Sequence, residues 1–231
     1  MHKPICALAA WALVWPWASA LAQTSQQELL QRLATVKESV ARNQASLREY
    51  TWTERTTVSV KGELRRAVVA SCRYRPDDQF ERTMVSQSEQ PGPGLKAKLF
   101  EMKGTAVDAY SERLLVLLNE YLPPSSRLMS AAYQAGNVSL GRSVPGSISL
   151  DFKNYVVSGD SLIFDFDSAV RSLRKIFVNT YLGEPKDTVT IFADFATLPD
   201  GTNYPSSTTL AEKAKGIQIV IQNSNYHQTE P

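Results

Sequence analysis

The sequence predicts an α+β fold: a long, curved antiparallel sheet of about ten strands, half-barrel-like, wrapped around or packed on about three helices. Three observations predict it. Apolar and polar residues alternate through many short segments, which is the period of a strand. Those segments are joined by short turns rich in Gly, Pro, Asp and Asn, and short connections demand antiparallel neighbours. Apolar residues at helical spacing occur near the start and again in the middle of the chain.

The chain opens with basic Met1-His2-Lys3, runs almost wholly apolar from Ile5 to Trp17, and passes through Ala20-Leu21-Ala22 into polar Gln23-Thr24-Ser25. This is the pattern of a secretory signal peptide with cleavage after Ala22. The apolar run falls short of the about 20 residues that a membrane span needs. Cys6 sits inside the apolar run and not behind the cleavage site, so nothing points to an acylated N-terminal cysteine. The expected organisation is a signal peptide at 1–22 and a single α+β domain at 23–231, with a helical insertion at about 95–136. The expected location is the periplasm or the exterior.

Leu29, Leu33, Val36, Val40 and Leu47 form one helical stripe, with Ser25 as a fitting N-cap. The period then switches to two from Tyr50 to Val60. Lys61-Gly62-Glu63 reads as a three-residue hairpin loop, pairing Val60 with Leu64, Trp52 with Cys72 and Tyr50 with Tyr74. That register puts the apolar faces of both strands together. Pro76-Asp77-Asp78 turns the chain into a third strand carrying Phe80, Arg82 and Met84 on one face. A loop at 88–94 leads to a helix at 95–122, apolar nearly all round from Leu114 to Leu118 and stopped by Pro123-Pro124. Ser125 caps a short helix that Gly136 closes. Ile148-Leu150-Phe152 and Leu162-Phe164-Phe166 alternate as strands, and four more follow near 173–182, 188–198, 203–211 and 217–226.

Removing residues 1–22 takes away Cys6, His2 and three tryptophans, leaving Cys72, His227 and Trp52, and lowers the formal charge from +2 to +1. One cysteine makes no intramolecular disulfide. One histidine and one cysteine supply neither the ligands of a zinc site nor the positioned imidazole of a Ser-His-Asp or Cys-His centre. No metal and no cofactor are expected. His227 reads as a tail residue, and Cys72, on the apolar side of its strand, as a small buried hydrophobe.

Ser172-Leu173-Arg174-Lys175 matches a Ser-x-x-Lys pattern, but it enters a strand and lacks the partner motifs. Asp160, Asp165 and Asp167 could serve a hydrolase by acid–base work, or bind calcium. The ordinary reading of the latter two is the solvated face of a strand. Arginines gather at 65, 66, 73, 75 and 82. Export and a near-zero charge argue against nucleic acid and leave a weak peripheral attraction to anionic lipid surfaces. Glu54, Arg66 and Arg82 interrupt the apolar face of the first three strands. Glu54 falls opposite Ala70, and Arg82 is within reach of it, so these charges either orient a ligand, latch a helix or leave the sheet at its edge.

Signal peptide, N-terminal helix, antiparallel strands, mid-chain helices and further strands, in that order, resemble the LolA/LolB lipoprotein-carrier superfamily and its relative, the stress sensor RseB. The segments Leu198-Pro199-Asp200-Gly201-Thr202-Asn203-Tyr204 and Asn223-Ser224-Asn225-Tyr226 look like those of exported bacterial proteins of this general kind. The resemblance implies a half-open barrel around helices, with an apolar cavity for acyl chains and a lipid or lipoprotein partner. The helical insertion comes early for that family, and no ligand-contacting residue carries over. The expected activity is therefore binding without catalysis. The expected cavity face comprises Tyr50, Trp52, Phe80, Met84, Leu150, Phe152, Phe164 and Phe166. Leu114, Leu117 and Leu118 would be its lid or plug, and the same residues could equally form a filled core. A periplasmic sensor or interaction protein contacting an envelope membrane protein is the alternative.

Overall fold

The computed structural model describes residues 17–229 apart from 76, 78, 90–95 and 143. The signal-peptide reading falls largely outside the described residues; Trp17 to Ala22 lie within the first helix. The order of elements is α1 (Trp17–Leu47), β1 (Tyr50–Val60), β2 (Glu63–Tyr74), β3 (Phe80–Glu89), α2 (Lys96–Tyr121) and α3 (Ser126–Gln134), followed by β4 (Val138–Leu140), β5 (Ser147–Lys153), β6 (Ser161–Asp167), β7 (Ser172–Tyr181), β8 (Thr188–Thr197), β9 (Asn203–Glu212) and β10 (Ile217–Gln228). Helix α1 starts earlier than the predicted cap at Ser25, because the alanine-rich segment before it is itself a strong helix former.

All ten strands form one open antiparallel sheet in the order β3-β2-β1-β10-β9-β8-β7-β6-β5-β4. The seven strands after the helices form a meander, and the first three attach to its far end through β1 and β10. A sheet this wide curls under its strand twist, and its inner face receives the helices. The hairpin β1–β2 turns in two residues, Lys61 and Gly62, both at positive φ (53° and 82°), and not in three. The register shifts at Val58/Ser59, where Arg65 is the extra residue on β2, so from Val58 inward the pairing is the predicted one, with Trp52 opposite Cys72 and Glu54 opposite Ala70.

The core gathers Leu33, Val36 and Val40 of α1, Leu114, Leu118 and Tyr121 of α2, and Met129 and Ala132 of α3 over the inner residues of β5 to β10. Leu150, Phe152, Phe164 and Phe166 are fully buried there. Each such side chain contributes about 1.5–3 kcal/mol by leaving water. The block Leu114 to Leu118 is not buried all round: Val116 points to solvent, 62 % exposed, as a helical segment with only one side on the sheet requires. Ser125 caps α3 through its side chain, which accepts from Leu128 N, and Gly136 closes it at φ 71°.

The end of α2 is fastened by a buried polar knot. The Tyr121 hydroxyl donates to Asp160 Oδ2 (2.7 Å) and meets Thr180 Oγ1 (2.8 Å). Asp160 also accepts the backbone N–H groups of Tyr155, Val156 and Val157. This carboxylate is 2 % exposed and holds its loop and the helix together.

Candidate functional site

The inner face of β1 presents Tyr50, Trp52, Glu54, Thr56 and Val58 in strict alternation. Its partner β10 turns in Ile217, Ile219, Ile221 and then polar Asn223, which sits directly opposite Glu54. Beyond that point the register shifts, Asn225 adopts φ 54°, and the parity of the strand reverses. Tyr226 is thereby turned inward and stacks on Trp52, with ring centroids 5.5 Å apart and an interplanar angle of 11°. Tyr74 and Phe80 approach the same indole at 5.9 Å each.

Between this aromatic group and the helices lies a cavity of about 400 Å3, within the size range of small-ligand sites. Its walls come from α1 (Val40, Asn43, Leu47), the end of α2 (Leu118, Leu122), and the sheet (Trp52, Tyr74, Phe80, Phe195, Ile221, Tyr226). Prolines 123 and 124 stop α2 at the rim of this space, which no helix among the described residues fills.

Most polar groups of the wall are engaged by the protein itself. Asn43 exchanges two hydrogen bonds with the backbone of Asn203, and Ser39 donates to the Arg171 carbonyl. Asn203 ties Leu173 and Ala196 together through its side chain. Gln44 donates to the Pro124 carbonyl at 3.2 Å. Two buried atoms of the cavity's wall residues have no partner among the described residues: Trp52 Nε1, a donor, and Asn223 Oδ1, an acceptor. The orientation of the Asn223 amide is set by its Nδ2, which donates to the Pro205 carbonyl at 2.8 Å.

Glu54 lines the cavity with its side chain 13 % exposed. Its Oε1 accepts from Arg82 Nε at 2.7 Å and from Thr56 Oγ1 at 2.9 Å. Beneath it, Cys72 is fully buried, and that burial, with the Glu54 charge adding to it, pushes the thiol up to about 12. A thiol so placed is an inert hydrophobe. Burial likewise raises Tyr74 and Tyr226, so the rings around the cavity stay neutral.

The structure separates the sequence-predicted residues into groups. Trp52, Phe80, Leu118 and Glu54 line the cavity. Tyr50 lies beside it, edge-on to Tyr226, with its hydroxyl donating to Asp200 in the turn before β9. Met84 is on the outer strand β3, 60 % exposed. Leu114, Leu150, Phe152, Phe164 and Phe166 belong to the filled core, with Leu117 packed against it. Arg82 pairs with Glu54, while Arg66 latches α2 to β2 through Asp108 (3.5 Å) and Glu112 (3.3 Å).

The aspartates do not form one group. Asp160 is consumed by the knot at Tyr121, and Asp165 and Asp167 alternate outward from Phe164 and Phe166. Asp167 caps the amides of Ala169 and Val170. No cluster of three or more His, Cys, Asp or Glu suited to a metal occurs among the described residues. His227 is exposed, and it is a strand residue paired with Thr51 and not a frayed tail.

Asn223, Tyr226, Tyr74 and Val40 were not expected in the site. Two sequence signals mark the first two: a polar residue continuing the parity of three isoleucines, and an aromatic residue three positions later on the opposite parity.

Fold and cavity define a class: an open antiparallel half-barrel cradling helices, with an apolar cleft between them. No protein-family model matches the chain, and no curated protein matches it. Among solved structures, it is similar to a DUF1329 family protein from Desulfovibrio piger (8 % identity, 85 % of this chain and 92 % of that one, TM-score 0.39). It is also similar to a LolA superfamily protein from Nitrosomonas europaea (9 % identity, 84 % and 94 % covered, TM-score 0.34). A third is a putative outer membrane lipoprotein-sorting protein domain from Vibrio parahaemolyticus (8 % identity, 82 % and 91 % covered, TM-score 0.38).

Proposed function

We propose that this chain is an exported binding protein that holds an apolar ligand, a lipid acyl chain or the acylated end of a lipoprotein, in the cavity between α1, α2 and the β1–β10 end of the sheet. The apolar walls of that cavity are the observation that carries the reading. It has the size of a ligand site and rings on one side, and its polar wall atoms are mostly committed to the backbone. Export rests on the signal-peptide pattern of residues 1–22, with periplasmic or secreted location following from it. No helix among the described residues is long and apolar enough to cross a membrane. Binding without catalysis fits the exposed position of His227 and the structural employment of Asp160.

Native mass spectrometry of the purified protein with lauroyl and palmitoyl probes tests this reading. A one-to-one adduct is expected. Leu118→Trp, which fills the cavity from α2, should abolish the adduct while circular dichroism stays unchanged. A folded wild-type protein that takes up no acyl probe overturns the proposal.

The outer strand β3 supports a second reading, an envelope interaction protein. It is the edge of the sheet, and it exposes Phe80, Met84 and Val85 by 50–67 %. Charged substitution at Met84 and Val85 would then abolish capture of a membrane-protein partner from an envelope extract without affecting acyl uptake.

A further inference from the structure

The unpartnered atoms around the cavity say what the polar end of its ligand is. Building on the binding reading above, we infer that the cavity takes an acyl or alkyl chain ending in a hydrogen-bond-donating head, a primary ammonium, seated between Glu54 and Asn223 against the rings of Trp52 and Tyr226.

Glu54 and Asn223 are directly opposed on β1 and β10, and both line the cavity. Oε1 of Glu54 is taken by Arg82 and Thr56, whereas no donor among the described residues reaches Oε2. Asn223 Oδ1 is buried without a partner, and its amide cannot usefully reverse, because Nδ2 already serves the Pro205 carbonyl. The two acceptors thus belong to opposed residues that line one cavity, Asn223 Oδ1 being buried at its wall. A buried acceptor left unmade is costly, and a ligand that supplies the missing N–H recovers that cost. A carboxylate head would instead meet one carboxylate and one amide oxygen, offset only in part by the Trp52 N–H and by an Arg82 guanidinium already engaged with Glu54 and Thr56.

The flanking rings add to the preference, since a cation is attracted to aromatic faces. Trp52 and Tyr226 stack on each other beside this spot, and Trp52 is 9 % exposed. Its unpaired indole N–H is a donor for an oxygen on the same head, such as a phosphate or ester oxygen. The Arg82 guanidinium opposes a cation, but its side chain is 35 % exposed against 13 % for Glu54. Solvent screens the arginine more than the carboxylate, and the carboxylate dominates.

The test uses two probes of equal chain length, dodecylamine and lauric acid, titrated into the protein at neutral pH below their micelle-forming concentrations. Dodecylamine should bind about tenfold or more tightly than lauric acid, the scale of one hydrogen bond to a charged group. Glu54→Gln should erase that preference. Asn223→Leu, which keeps the Glu54–Arg82 pair and serves if Glu54→Gln does not fold, should weaken dodecylamine several-fold and, by removing an oxygen that repels a carboxylate, should not weaken lauric acid. Lauric acid binding as tightly as dodecylamine, or a preference that survives both substitutions, overturns the amine head while leaving the cavity reading standing. A folded protein that binds neither probe overturns both.

Discussion

The two ends of the sheet carry the same alternating pattern and reach different outcomes. At β5 to β8, the inward residues share one core with the helices: Leu150, Phe152 and Phe164 are fully buried in the same cluster as Leu114, Tyr121 and Met129. Around Trp52, Tyr74 and Phe80 on β1 to β3, the inward residues are as large and aromatic. Helix α2 meets β2 at Arg66 but stops at Tyr121, and the wall opposite these rings is the last turns of α1 and the end of α2. Tyr74, Phe80 and Tyr226 gather around Trp52 instead and leave a cavity beside them. Whether an apolar face becomes core or site is decided here by where a helix ends.

The strongest way to break this comparison is to truncate one ring at the filled end. Phe164→Ala should destabilise the protein by about 3–5 kcal/mol, since the space it vacates has rigid walls and collapses poorly. Urea unfolding followed by circular dichroism measures it. A loss near that of a surface substitution would mean that the two ends do not differ.

The fold was legible because its signals are local. The runs Ile148-Leu150-Phe152 and Leu162-Phe164-Phe166 keep perfect parity, and the Pro123-Pro124 stop and the Ser125 cap announce their elements. The Glu54–Arg82 contact could also be anticipated, because the two hairpins that bring it together are short. The cavity was not legible as a whole. It depends on β10 closing onto β1, across a sequence separation that no local pattern spans, and on a register shift at Asn225 that reverses the parity of Tyr226. Similar shifts reverse parity in β7 and β9, where Leu173 and Asn203 are turned in by bulges. For the same reason the apolar face read from alternation alone merged core residues such as Phe152 with cavity residues such as Trp52.

The polar knot offers a second contrast. At the filled end, Asp160 is saturated by protein donors, whereas at the open end Glu54 keeps an oxygen free. Asp160→Ala leaves three loop amides without their acceptor and the Tyr121 hydroxyl with Thr180 Oγ1 alone, and should cost about 3 kcal/mol. Glu54→Ala should cost less, because its neighbours are partly solvated. Thermal melts of the two variants side by side test the order; equal losses would refute it.

Alkaline titration sharpens the same difference. Burial pushes the Tyr155 hydroxyl up to about 12 from its usual 10.0. In the unfolded chain Tyr155 ionises first, so the stability it contributes is complete below about 10 and is lost as pH rises towards about 12. Melting temperature should fall through that window, and Tyr155→Phe should flatten the fall. The wild type and the variant showing parallel pH profiles would exclude Tyr155 as the cause.

The smallest effect is expected at the rim. Phe80 has the same side chain as Phe164 and also faces the inner side of its strand, yet it is 50 % exposed at the first residue of an edge strand. Truncation there vacates no enclosed space, because solvent already reaches one side of the ring; what is lost is its contact with Trp52 and Tyr74. An aromatic pair of that kind is worth about 0.5–1.5 kcal/mol, so Phe80→Ala should cost about 1 kcal/mol. Its consequence for binding should be larger than for stability, since the ring forms part of the cavity wall. Affinity for dodecylamine falling while the unfolding midpoint barely moves is the expected result. A substitution that lowered stability as much as Phe164→Ala would show that the aromatic group at β1 to β3 is a second core, and the open end would then need another account.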